Sequence, residues 1–371
     1  MKTTALIMAG GRGERFWPKS RINLPKQFLS LTEDSRTMIQ LTVERISPLV
    51  AIEDVFVATN ESYRQLVREQ LPDLPEENIL CEPVGRNTAP CIGLGAAHVQ
   101  KKYGDAVMAV LPSDHLIKNN SLFAQTLKEA VSLAEQDENL VTIGITPEHP
   151  ETGYGYIKFD SGKKAGGAFR VERFVEKPDL EKAKEYVDSG EYLWNSGMFI
   201  WKASTILARI KEFSCETHLG LMKIKDAIGS GDYEKILFET FSAFTSESID
   251  YAVMEKATKP SAKSGTVFTF PGAFGWDDVG SWLALERLKR TDETGSVIEG
   301  NVVTVDSSEN IIQGGKKLIA AVGLKNMVIV DTDDAILICQ KQSAGKIKGV
   351  LEKLKNAARS EYLGGLRSTV G

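Results

Sequence analysis

The apolar runs of this chain are short and nearly continuous. Residues 4–9 (TALIMA), 55–59, 107–111 and 141–145 show no alternating polar face. Strands of that kind are buried on both sides, as in parallel sheets covered by helices. Between the runs, apolar residues recur at helical spacing: Met38, Leu41, Val43 and Ile46; Tyr63, Leu66 and Val67; Phe123, Leu127, Ala130 and Leu133. The alternation predicts an α/β fold with a Rossmann-like, mixed but mainly parallel sheet flanked by helices. Ligands of such sheets gather outside the carboxyl ends of the strands. The segments AGGRG (9–13) and LPSDH (111–115) fall there.

At 371 residues the chain exceeds the roughly 250–300 at which a single core stops growing. Its texture changes after residues 282–290. Short strand segments follow at 296–305, 310–312, 318–322, 327–330 and 335–339, separated by turns such as Gly314-Gly315. They predict a small β-rich domain, either a barrel or a short β-helix. Ile347, Val350, Leu351 and Leu354 then mark a final packing helix. The expected domains are 1–290 and 291–371.

A formal net charge of -5 argues against non-specific nucleic-acid binding. No apolar run approaches the ~20 residues that span a bilayer, so no membrane association and a cytoplasmic location are expected. Cys81, Cys91, Cys215 and Cys339 form no C-x-x-C pair, and the histidines are as sparse, so no zinc pattern is present.

The segment MAGGRGERFWPKS (8–20), with Pro25-Lys26 after it, reads as a phosphate loop. Glycines let backbone N–H groups close around an anion. Arg15 and Lys26 add fixed positive charge. No G-x-x-x-x-G-K-[ST] string occurs, which excludes a Walker A loop. Counting a G-x-G-x-x-G fingerprint from Gly11 puts Phe16 at the last glycine, which weakens a dehydrogenase reading.

The opening signature, with Pro25-Lys26-Gln27, resembles that of sugar-1-phosphate nucleotidylyltransferases. CEPVGRNTAPCIG (81–93), LPSDH, ETGYGYI (151–157), FVEKP (174–178), WNSGMF (194–199), SIDYAVMEK (248–256) and WDDVGSW (276–282) are similar to the mannose-1-phosphate guanylyltransferase branch. They stand in that family's order and cover roughly residues 1–290. The resemblance implies that GTP and mannose 1-phosphate give GDP-mannose and pyrophosphate, with Mg²⁺. Longer relatives append an isomerase domain. Here about 80 residues follow the catalytic part and none is His, so a monofunctional enzyme is expected. A homodimer packed through the C-terminal domain is also expected.

The resemblance implies the following roles. Gly10, Gly11 and Gly13 cradle the nucleotide phosphates, and Arg15 and Lys26 neutralise them. Asp114 and Asp278 meet at Mg²⁺. By composition Asp277 is as good a candidate; only the motif alignment selects Asp278. Glu82, Asn87 and Thr88 frame the base, since guanine presents donors that need facing acceptors. For Asn87 and Thr88 a plain polar turn ahead of a helix is an equal reading, and Arg86 is expected to be a surface or outer charge. Gly155, Glu176, Lys177 and Asn195 contact the sugar phosphate. Ser248 is read as a helix cap, and Asp250 is left on the structural side. A sugar phosphate is largely ionised at neutral pH, its second pKa lying near ~6, so no general base is required. A non-catalytic sensor is disfavoured because Arg15, Lys26, Asp114 and Asp278 are all present.

Overall fold

The computed structural model describes residues 1–259 and 266–364. The apolar runs form β1 (Thr3–Met8), β2 (Val55–Asn60), β4 (Val107–Pro112) and β5 (Leu140–Ile145), with β3 (Ile79–Glu82) beside β2. β6 (Tyr156–Ala165), β7 (Ala168–Val175), β8 (Tyr192–Lys202) and β9 (Val267–Gly272) complete one sheet. Its order is β3-β2-β1-β4-β8-β5-β9-β7-β6, with β8 also touching β6. The half from β3 to β4 is parallel, as the continuous apolar runs require. β9 is parallel to β5, whereas β8 runs antiparallel to β4 and β5. β6 and β7 form a hairpin around Gly166, whose positive φ permits the tight turn.

Helices connect these strands. They include α1 (Met38–Ile46), α2 (Arg64–Gln70), α3 (Thr88–Tyr103), α4 (Asn120–Gln136), α5 (Leu180–Ser189), α6 (Ala203–Phe213), α7 (Cys215–Ala227) and α8 (Tyr233–Phe241). α3 buries Ile92, Leu94 and Val99, and a core runs from Leu6 and Met108 through Trp201 to Phe241. No helix of the described residues is long and apolar enough to cross a membrane. Cys81 and Cys91 are buried, whereas Cys215 is exposed.

The C-terminal region contains β10 (Val297–Glu299), β11 (Val302–Val305), β12 (Ile311–Gln313), β13 (Ile319–Val322), β14 (Met327–Asp331) and β15 (Ile336–Gln340). The run expected at 296–305 is thus two strands, broken at Gly300, which has φ 86. β10, β12 and β14 stack in parallel, as do β11 and β13. This is the coil-on-coil pairing of a β-helix. Buried Asn310 secures a corner: its side-chain amide donates to the Leu324 carbonyl and its oxygen accepts from the Met327 N–H, both at 2.9 Å. The final helix, α9, spans Ile347–Asn356.

By compactness the chain forms two units. One comprises Met1–Gly10, Val43–Ser113 and Ile117–Trp276; the other comprises Gly11–Thr42, Asp114–Leu116 and Asp277 onward. The second unit has its own core, in which Phe16, Trp17, Val279 and Trp282 pack with Ile311, Val328, Ile347 and Leu351. The glycine-loop flank and the WDDVGSW segment therefore share a core with the C-terminal strands.

Candidate active site

Within the second unit, a cavity of about 520 Å³ is lined by Arg12, Gly13, Arg15, Lys26, Asp114, Asp278 and Lys348, among others. Gly13 has φ 58, and a Cβ there would lie 2.4 Å from that of Lys26. Only glycine lets the loop close over this lysine. The Lys26 ammonium is buried. It pairs with Asp114 Oδ2 at 2.9 Å and donates to the Asp278 carbonyl at 2.6 Å. Burial opposes ionisation of Asp114, yet the Lys26 ammonium and the neighbouring His115 hold its carboxyl below the usual carboxylate range.

Asp277 and Asp278 are adjacent in sequence but differ in employment. Asp277 is buried, accepts the Val279 N–H at 2.7 Å and pairs with Arg287. Asp278 lines the cavity, and its carboxylate accepts the Gly280 N–H at 3.1 Å. Between them and Gly280, Val279 is fully buried with φ 48, a strained state for a β-branched residue. The two aspartate-to-backbone bonds hold that kink. A Cβ at Gly280 would lie 2.7 Å from the Asp278 carboxylate. Arg15 reaches the Gly280 carbonyl at 3.5 Å.

In the first unit, Glu82 ends β3 and is 7% exposed. Desolvation pushes its carboxyl up to about 7, against a hydrogen bond from the Cys91 thiol. Its Oε1 is buried and has no hydrogen-bond partner. A Cβ at Gly10 would stand 3.2 Å from its Oε2. Asn87 and Thr88 both bond backbone N–H groups, one local and one distant. The Asn87 side chain caps α3 by accepting the Thr88 N–H at 2.8 Å, and the Thr88 hydroxyl accepts the Ile249 N–H. Arg86, expected as a surface or outer charge, is half-buried and donates to the Ser242 carbonyl.

A smaller pocket in the same unit is lined by Gly155, Glu176, Asn195, Asp250, Tyr251 and Glu255, among others. It is closed to about 10 Å³, scarcely one water. Asn195 Nδ2 donates to Asp250 Oδ1 at 2.6 Å, and a Cβ at Gly155 would meet Glu176 Oε2 at 2.9 Å. Lys177 is exposed, has φ 37 and pairs with Glu176 at 2.9 Å. Asp250, left on the structural side by the sequence reading, stands in this pocket. It opens a π-helical turn, Asp250–Met254, and Ser248 receives the Tyr251 N–H only at 3.4 Å instead of capping an α-helix. Burial raises the Asp250 carboxyl, opposed by the Asn195 hydrogen bond.

A strand-end glycine loop, a buried lysine and two aspartates in one cavity belong to phosphoryl chemistry. The nucleotidyl transferase family model matches residues 4–295. The chain belongs to that family. Residues 300–354 of this nucleotidyl transferase match a second model, the MannoseP isomerase/GMP-like beta-helix domain. Among curated relatives, a mannose-1-phosphate guanylyltransferase of Salmonella montevideo is 40% identical over 367 residues, covering 97% of this chain and 75% of that one. One from Klebsiella pneumoniae is 41% identical over 362 residues, covering 96% and 75%. A crystal structure from Thermus thermophilus, described as a mannose-1-phosphate geranyltransferase, is 33% identical with a TM-score of 0.85. It covers 96% of this chain and 100% of its own.

The sequence reading does not single out Arg12 and Lys348, which line the cavity around Lys26, or Glu255, which lines the pocket of Asp250. Arg12 lay within the quoted loop and Glu255 within SIDYAVMEK, both legible in hindsight. Lys348 carries no motif at all.

Proposed function

We propose that this nucleotidyl transferase moves GMP from GTP to mannose 1-phosphate, releasing pyrophosphate and forming GDP-mannose. The observation that carries the reading is the cavity around Lys26, where Arg12 and Arg15 meet Asp114 and Asp278. The names of the relatives support the substrates.

The attacking sugar-phosphate oxygen is already ionised, so the protein's work is positioning and charge neutralisation. Gly10, Gly11 and Gly13 admit the phosphates close to backbone. Arg15 neutralises charge on them. Lys26, fixed between Asp114 and the Asp278 carbonyl, holds both acidic segments in place and presents positive charge to the cavity. Glu82 has a buried oxygen without a partner, which suits the paired donors of guanine. Asn87 and Thr88 shape that loop. In the smaller pocket Glu176, Asn195 and Asp250 offer acceptors and donors to sugar hydroxyls, Gly155 gives Glu176 room, and Lys177 offers charge to the sugar phosphate. Admitting a hexose requires this pocket to open.

Among the described residues, no group of three or more His, Cys, Asp or Glu side chains is arranged for a metal ion. Asp114 and Asp278 still fit Mg²⁺, which takes one or two carboxylates with phosphate oxygens and waters, and Asp114 is held ionised. Bound there, Mg²⁺ would supply charge relief between the two reacting phosphates.

A homodimer is part of the proposal. Val303, Val305 and Val322 on the β11–β13 pair are more than half exposed, an apolar face suited to a second copy. Sedimentation at micromolar concentration tests it, and a monomer overturns it. A cytoplasmic location accords with these substrates. The deciding experiment for function is pyrophosphate release with GTP, UTP and dTTP against a panel of hexose 1-phosphates. GTP with mannose 1-phosphate should be preferred; equal turnover of all three nucleotides would sink the base assignment.

A further inference from the structure

The final helix was expected only to pack. α9 does bury Ile347 and Leu351 against Phe16 and Trp17. One residue beyond Ile347, however, Lys348 lines the phosphate cavity. Lys355 lies on the same helical face two turns on and approaches Glu14 at 3.8 Å. Its contacts thus key α9 to the turn that carries Arg15, and leave Lys348 pointing where the glycine loop points.

The charges of the cavity are unequally matched. Asp114 holds Lys26, and Glu14 faces Lys355. Arg12, Arg15 and Lys348 are exposed, and none has a carboxylate within ion-pair distance among the described residues. Three cations around one cavity repel each other unless an anion enters. The most anionic portion of a nucleoside triphosphate is its β,γ end, which departs as pyrophosphate. On the acidic side of the cavity Lys26 is already committed to the Asp114 carboxylate and the Asp278 backbone carbonyl, and the two carboxylates suit a metal-bridged phosphate.

We infer that Lys348 binds the β- and γ-phosphoryl oxygens of the nucleotide and the pyrophosphate formed from them, so that the C-terminal helix completes the phosphate site. This rests on the guanylyltransferase reading above. It also gives the C-terminal region a role in substrate binding.

The test is the reverse reaction, GDP-mannose plus pyrophosphate giving GTP and mannose 1-phosphate, followed at varied concentrations of each substrate. Lys348→Ala should raise KM for pyrophosphate roughly tenfold, the scale of one charge-assisted contact, and leave KM for GDP-mannose nearly unchanged. Lys348→Arg should recover most of the loss. Lys353→Ala removes the same charge from an exposed position of α9 and should change neither constant. An unchanged pyrophosphate KM in Lys348→Ala overturns the inference, as does an equal rise in Lys353→Ala, which would mean a diffuse charge effect. If the wild-type protein does not run the reaction, the functional reading falls and the inference with it. If it does, the Lys348 variants alone decide.

Discussion

In the cavity around Lys26 the backbone does the shaping. Gly13 sits at φ 58, Val279 at φ 48, and two aspartates clamp the chain between residues 277 and 280. The cavity measures about 520 Å³. In the pocket around Asp250 side chains do the shaping: it measures about 10 Å³, with Asn195 bonded to Asp250 and Glu176 paired with Lys177. The carboxylates follow the same division. Asp114 is held below the ordinary range beside its lysine, whereas Asp250 is pushed above it by burial. On the proposed reading, the phosphates would meet fixed, pre-charged geometry, which costs no reorganisation when charge develops, and the sugar hydroxyls would meet side-chain polar groups.

The largest effect should come from breaking the clamped side. Asp278→Asn and Asp114→Asn should each lower turnover by roughly 10²–10³-fold and raise the Mg²⁺ requirement, the double variant losing far less than the product of the two. Asp277→Asn separates clamp from chemistry: it should lower the melting temperature through the Arg287 pair and the Val279 kink while turnover stays near wild type. A crippled Asp277→Asn beside a silent Asp278→Asn would reverse the assignment. Metal titrations of turnover and thermal melts read both.

Lys26→Ala should cost roughly 2–4 kcal/mol of transition-state stabilisation, measured as kcat/KM. Normal turnover in a folded variant would make the buried lysine purely structural.

Burial of Glu82, at the end of β3, predicts a pH signature of its own. Glu82 rises to about 7 when folded, so the native state holds its proton more tightly than the unfolded chain. Stability contributed by the protonated form is therefore lost as pH rises from the ordinary glutamate range to about 7, by up to about 3 kcal/mol. Glu82→Gln should flatten that slope in denaturant titrations; an unchanged slope would show Glu82 to be hydrated in solution.

The smallest effects are expected in the pocket around Asp250, the proposed sugar site. Asp250→Asn and Glu176→Gln should each raise KM for mannose 1-phosphate by about tenfold, leaving KM for GTP almost unmoved. A matching rise for GTP would erase the distinction between the two pockets.

Much of the fold was legible because β1, β2, β4 and β5 are continuous apolar runs and their helices are strongly periodic. The β6–β7 hairpin and the antiparallel β8 went unread: their residues alternate only partly, and β8 owes its direction to its neighbours. Of the candidate site, Lys26, Asp114 and Asp278 were named in advance and do line one cavity. Asn87 caps α3, Thr88 bonds the distant Ile249 N–H, and Asp250 lines the pocket with Asn195, contacts that no local pattern announces.

The sequence by itself determined the residue types that phosphate chemistry demands, their order along the chain and the strand-end positions at which ligands gather, since glycine loops and apolar runs act through local geometry. Only the tertiary structure showed that Asp278 lines the cavity while Asp277 is taken up by the Val279 N–H and Arg287. Neighbours in sequence point apart once Val279 is forced into a left-handed turn. Only the tertiary structure, too, brought Lys348 beside Arg12. The core that joins Ile347 to Phe16 spans more than 300 residues of chain, and no local pattern encodes a contact at that separation.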